Sequence, residues 1–96
     1  NDQLAIGCLR ALQQAGCRVP EDMSLAGFDN IPFSAYTHPA LTTFDQPKHF
    51  IGAEAARMVL ELLNGTPEGA APSAGQRLLQ GSLLVRLSTA PPWREP

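Results

Sequence analysis

The sequence predicts an α/β fold, with parallel strands flanked by helices, on three observations. The first is a helical run that opens the chain and carries apolar residues three and four apart. The second is a β-competent run, residues 23–28, that stops abruptly at the carboxylate of Asp29. The third is a strand-like run ending in Gln46, followed directly by a second amphipathic helix. Alternation of helical and strand periods is the signature of parallel sheets covered by helices.

The first helix is expected over residues 2–15. Asn1 is its cap, Asp2 complements the positive end of the dipole and Gly16 stops it. Leu4, Cys8, Ala11, Leu12 and Ala15 form one stripe expected to face the sheet. Ile6 points to nearly the opposite side, with Leu9 between the two faces. After a turn around Pro20, residues 23–28 read as a buried parallel strand, in which Gly27 lets another backbone or a ligand come close. Residues 29–40 read as irregular because Pro32 and Pro39 exclude a regular helix or central strand. Phe33 and Tyr36 on this loop need cover or an interface. Residues 41–46 form the next strand, ended by Pro47, which lacks the ladder donor.

The second helix is expected over residues 48–64, with Gly65 as terminator. Ile51, Ala55, Met58, Val59, Leu62 and Leu63 make its apolar face, and Glu54, Arg57 and Glu61 its wet side. Residues 66–75, rich in Gly, Ala and Pro, read as a surface linker. Short strands follow over 77–80 and 83–87, then a Pro-rich tail from 90 to 96 that includes Trp93.

With 96 residues, the chain is one small domain's worth of sequence, and two helices are too few to cover both faces of a parallel sheet. The reading is therefore of a piece of a larger fold. The net charge of −2 and singly scattered basic residues argue against a nucleic-acid footprint in these residues. No apolar stretch approaches a membrane span of roughly 18 residues. Cys8 and Cys17 are too far apart along a helix for a disulfide and are expected as reduced thiols in small buried sites. His38 and His49 lack companion ligands at useful spacing, so no metal is expected, and they read as surface or loop residues. Ser24, Ser34, Ser73, Ser82 and Ser88 have no nucleophile-elbow context, and no phosphate-cradling loop opens either helix. Neither catalysis nor a cofactor is expected.

Taken in order, NDQLAIGCLRALQQAG, VPEDMSLAGFDN, HPALTTFDQP, IGAEAARMVLELLNG and LLVRLSTAPP resemble the LacI/GalR family of bacterial transcriptional repressors. The FDN and DQPK wording is most like the purine-repressor branch. The resemblance covers nearly the whole chain, and five segments in matching order are far more specific than any one. It implies a fragment of a two-lobed, type I periplasmic-binding-protein-like core, 1–96 being its C-terminal part. Within it, 1–46 would lie mainly in the C-terminal lobe, 47–80 mainly in the N-terminal lobe, and 81–96 would be the return strand and tail.

The same resemblance implies a small-molecule effector, sugar or purine-like, bound between the lobes of a cytoplasmic homodimer. Operator DNA would be reached only through an N-terminal domain outside this chain, and no membrane is involved. Asp29, Asn1 and Gln46 are the implied ligand-binding residues. Asp29 would accept hydrogen bonds from effector hydroxyl or N–H groups. Local roles compete: Asp after a strand often caps a turn, Asn is a preferred helix cap, and Gln46 could bond backbone at the strand's end. Ile6, Tyr36 and Thr37 are the implied dimer contacts, and for Ile6 the helical wheel independently points outward. The alternatives are a periplasmic sugar-binding transport protein of the same architecture and an α/β enzyme, the latter disfavoured by the missing catalytic pair.

Overall fold

A computed structural model describes residues 1–65 and 75–92. Two helices and two short strands follow in the order α1 (Asp2–Gln14), β1 (Thr43–Asp45), α2 (Lys48–Asn64) and β2 (Ser82–Leu84), with a 3-10 turn at Pro32–Ala35. The chain divides into two compact units, one formed by Asn1–Gln46 with Gly81–Pro96 and the other by Pro47–Gln80.

In the first unit, β1 pairs antiparallel with β2, Thr43 opposite Leu84 and Asp45 opposite Ser82. The register continues to the hydrogen bond from Leu87 N–H to Ala40 O at 3.0 Å. On its other side β1 is flanked in parallel by residues 26–29: Ala26 bridges Thr42, and the N–H groups of Gly27 and Asp29 donate to the carbonyls of Thr42 and Phe44 at 2.8 and 2.9 Å. The expected strand at 23–28 is thus a single parallel bridge, and it is not buried, since Met23 and Phe28 are about half exposed. Among the described residues this segment has a paired neighbour on one side only. Phe28 covers part of its ring by stacking on Phe44 with centroids 5.3 Å apart.

The core of this unit is small and unusually polar. Leu41, Leu9, Ala5 and Val19 are its apolar members, and Asp2, Ser34, Thr42, Thr43 and Ser88 are buried beside them. Ser88 knits three segments: its Oγ donates to Leu25 O at 2.6 Å and accepts from Thr42 N–H at 2.8 Å, while its carbonyl accepts from Leu25 N–H. No buried side-chain polar atom among the described residues lacks a partner, as packed interiors require.

The helix α1 starts and stops where expected, but its inward face is different. Asn1 Oδ1 accepts from Leu4 N–H at 3.0 Å as the cap, and Gly16 takes a φ of 78° beyond the helix. The buried line is Asp2, Ala5 and Leu9, extended by half-buried Leu12. Leu4 is 74% exposed, and Cys8, Ala11 and Ala15 are exposed as well. Proximity decides its start: Asp2 lies so close to the chain at Gly27 that no Cβ fits between them, which turns the line of Asp2, Ala5 and Leu9 inward and Leu4 outward. Cys8 and Cys17 are both free, as expected, but Cys8 is exposed and Cys17 half-buried rather than enclosed.

Residues 29–40 are less irregular than expected, because Pro32 supplies the first position of the 3-10 turn, where its missing N–H costs nothing. Ser34 anchors that turn from the inside, and Phe33 and Tyr36 project outward. His38 and His49 are exposed.

In the second unit, α2 has the predicted bounds, closed by Gly65 at a φ of 76°. Its apolar face is only partly covered among the described residues: no residue of α2 is buried, and Leu62 is 84% exposed. The better-covered positions, Glu54, Met58 and Glu61, come from both expected faces. Glu54 accepts from Arg57 at 2.7 Å and from Arg77 at 2.9 Å, which draws residues 75–79 alongside Ile51, Ala55 and Met58 as a shallow groove. Residues 77–80 lie there without forming the expected strand. The expected strand at 83–87 is β2, shorter and begun one residue earlier. The linker over 66–74, with Ser73, and the end of the tail, with Trp93, lie outside the described residues.

Candidate functional site

Two parallel segments that end together build one polar edge. Residues 26–29 and 42–46 run in the same direction, so Asp29 and Gln46 emerge side by side at their carboxyl ends, where α/β folds place ligands. Gln46 Nε2 donates to Asp29 Oδ1 at 2.5 Å and closes the edge. That contact fixes the carboxamide, because its oxygen could not face a carboxylate. The Gln46 oxygen and the second Asp29 oxygen remain as acceptors.

The third residue arrives with α1. Asp2 N–H donates to Phe28 O at 3.0 Å, which sets the start of the helix against the same strand end. Asn1 is exposed there. Its Oδ1 is committed to the helix cap, and its amide nitrogen donates in no hydrogen bond among the described residues. No hydrogen bond joins it to Asp29 or Gln46. The edge therefore offers a donor and several acceptors, a set suited to hydroxyl groups or to the N–H and ring-nitrogen pattern of a heterocycle.

The backbone at this edge is strained and heavily held. Asp29 has a φ of 116° and Asn30 a φ of 55°, both in the region that favours glycine; such residues cost about 1–3 kcal/mol each, and persist where their surroundings over-determine them. Four contacts do so. Asp29 N–H is bound to Phe44 O, and Asn30 N–H donates to Thr43 Oγ1 at 3.3 Å. Asn30 Nδ2 donates to Asp45 Oδ1 at 3.3 Å, and Asn30 Oδ1 accepts from Arg86 Nη2 at 2.8 Å. On the far side of Asn30, Ile31 N–H donates to Asp2 Oδ2 at 2.9 Å.

Asp2 is fully buried, and Thr43 Oγ1 donates to its other oxygen at 2.6 Å. The reading of Asp2 as a dipole partner thus missed its larger part, which is to tie the helix start to the loop after the strand. Asn30, Thr43 and Arg86 also escaped notice as site-shaping residues. The one available signal was alternation along L-V-R-L-S: Leu84, Arg86 and Ser88 share the more covered face, an odd register for an arginine.

The expected dimer residues make no hydrogen bond to Asp29, Gln46 or Asn1 among the described residues. Ile6 is half-buried on α1, Tyr36 is 81% exposed after the 3-10 turn, and Thr37 is half-buried, its Oγ1 bonded within the loop to Ser34 O and Pro39 O. No group of three or more His, Cys, Asp or Glu residues able to hold a metal occurs among the described residues. No helix among them is long and apolar enough to cross a membrane.

Comparison with known proteins places this geometry in context. Residues 1–89 match the periplasmic binding protein-like domain. The HTH-type transcriptional repressor CytR of Escherichia coli K12 is 39% identical over 89 residues, 93% of this chain and 25% of the repressor. PurR of Aliivibrio salmonicida is 49% identical over 61 residues, 64% of this chain and 18% of that repressor. Among solved structures, the lac repressor dimer bound to operator and the anti-inducer ONPF superposes with a TM-score of 0.80 at 34% identity, over 93% of this chain and 29% of the repressor chain. The chain spans about a quarter of the length of the curated relatives it matches.

Proposed function

Because the chain belongs to the periplasmic binding protein-like domain family, among the LacI/GalR-type transcriptional regulators, we propose that it forms part of an effector-sensing and dimerisation core. Asp29, Gln46 and Asn1 hold a sugar or purine-like effector at the polar edge. The observation that carries this reading is the convergence of the two parallel segments: they bring a carboxylate and a carboxamide into direct contact, on a backbone held in a costly conformation. The division of the chain at 46/47 and 80/81 supports assigning its two units to the two lobes of such a core.

The domain acts by binding and not by catalysis. An effector that contacts both lobes prefers one closure state, and only that difference in affinity shifts the equilibrium. The shift reaches operator DNA through a separate DNA-binding domain, as reciprocal coupling between two sites. The regulator is cytoplasmic and works as a homodimer, with Ile6, Tyr36 and Thr37 at the contact between copies. The exposure of the Tyr36 ring supports that placement. The curated relatives reported above are regulators and not transport proteins, which favours this reading over a sugar-transport component.

The test is titration calorimetry on the intact protein with cellobiose, ONPF, adenosine and guanine. One of these is expected to bind, and Asp29→Ala is expected to weaken it by roughly tenfold or more, the loss of a hydrogen bond to a charged group. Equal affinity of wild type and Asp29→Ala would refute the assignment.

A further inference from the structure

We infer that Arg86 is a positioning residue for the effector edge: it holds Asn30, and through Asn30 the backbone that aims Asp29. The inference rests on the reading of Asp29 as an effector contact.

Arg86 is half-buried on the covered face of the segment after β2. Its backbone N–H donates to Thr42 Oγ1 at 3.0 Å, which fixes the base of the side chain. Its guanidinium then reaches three neutral acceptors: Nη1 donates to Leu41 O at 3.0 Å and to Ser34 Oγ at 2.9 Å, and Nη2 donates to Asn30 Oδ1 at 2.8 Å. No carboxylate lies within ion-pair distance of it among the described residues. A charged group placed on an inward register without a counter-ion is costly unless its hydrogen bonds are needed. Here they converge on Ser34 inside the 3-10 turn, on Leu41 at the head of the strand run, and on the second of two left-handed residues.

The geometry explains why a guanidinium suits the place. Its planar fork reaches Ser34 and Asn30 with different nitrogens at once, which a lysine ammonium cannot reproduce with the same geometry. Ser34 Oγ itself donates to Ile31 O at 2.7 Å, so Arg86 grips the stretch from Asn30 to Ser34 at both ends. Without that grip, the Asn30 φ of 55° loses its charge-assisted contact and is held less firmly by those to Thr43 and Asp45. The adjoining Asp29 then turns, and its carboxylate no longer meets Gln46 and the effector together.

The test is a double-variant cycle in the intact protein, using whichever of cellobiose, ONPF, adenosine or guanine binds the wild type. Arg86→Met is expected to weaken binding about tenfold, with Arg86→Lys recovering part of the loss, the range expected when charge-assisted bonds are removed. In an Asn30→Gly background, where no carboxamide remains to be held, Arg86→Met is expected to cost less than about threefold. A general packing role would cost the same in both backgrounds. Wild-type affinity in Arg86→Met, or equal losses in both backgrounds, overturns the inference. If no compound binds the wild type, or Asp29→Ala binds as well as wild type, the effector reading has failed. The crystal structure of Arg86→Met then decides the present point: relaxed backbone angles at Asn30 support it, and unchanged angles overturn it.

Discussion

Replacing Gly27 by alanine tests how tightly α1 is joined to the strand end. An added Cβ would overlap the Asp2 carboxylate and lie 3.0 Å from Leu41 Cδ2 and 3.2 Å from Asp2 Cα. The obstacle cannot swing away cheaply. The Asp2 carboxylate is fully buried and bonded to Ile31 N–H and Thr43 Oγ1, and its Cα belongs to the first residue of α1. Overpacking of this kind costs about 1–3 kcal/mol. Losing one of the two bonds to the charged carboxylate adds about 1.5–3 kcal/mol. The stiffer unfolded chain returns about 0.4–1 kcal/mol. The net expectation is a destabilisation of about 2–5 kcal/mol, which at typical urea sensitivities lowers the denaturation midpoint of the intact protein by about 1–2 M. A midpoint within about 0.3 M of wild type would refute the reasoning, since it would mean that α1 can retreat without losing its buried contacts.

Other outcomes follow from single side chains. Ser88→Ala strands the Leu25 carbonyl and the Thr42 N–H, and should cost about 1–3 kcal/mol for each group left unsatisfied, read by the same denaturation measurement. The hydrogen bonds from the Arg18 side chain and backbone hold the exposed Asp22 carboxyl below its ordinary pKa, and the side-chain bond to the Asp22 carboxylate raises that of Arg18. A depressed folded-state pKa contributes stability present above the unfolded value and lost as pH falls through the folded one. Acidification should therefore loosen the 18–22 turn, and Asp22→Asn should remove that part of the pH dependence; hydrogen exchange at Arg18 N–H between neutral and acidic pH reports it. Ile6→Arg should weaken self-association by placing a charge in the proposed contact between copies. Sedimentation showing an unchanged oligomer would remove Ile6 from that contact.

The sequence showed where elements start and stop better than which way they face. Both helices have local signals at their ends, a cap at Asn1 and glycines at 16 and 65, and their observed bounds follow from these. The inward face of α1 does not follow from apolar count. Leu4, Cys8 and Ala11 make the expected stripe, but the close approach of Asp2 to Gly27 sets the line of Asp2, Ala5 and Leu9 inward instead, a constraint that exists only once the chain is folded. The strand at 23–28 was legible in direction and not in extent, because hydrogen-bonded length depends on neighbours and not on propensity. At the candidate site, the contact between Asp29 and Gln46 lay within reach of the family resemblance. The support from Arg86 did not: a lone arginine in a β-rich run carries no local signal for a partner fifty-six positions earlier.

The first compact unit is closed by residues from Gly81 onward, which follow the excursion through α2. Everything from Gly81 onward must wait until the intervening excursion through α2 has been synthesised, and only then can the ladder at Ala40 and the Ser88 stitch to Leu25 be made. Until that moment one flank of β1 presents bare amide and carbonyl groups, the kind of template that recruits other chains. A ribosome stalling late in this stretch, or a nonsense codon shortly before position 82, would therefore release a product whose hazard is adhesive rather than merely inactive. Contacts so distant along the chain also make closure slow, which leaves nascent molecules dependent on whatever shields that flank in the meantime.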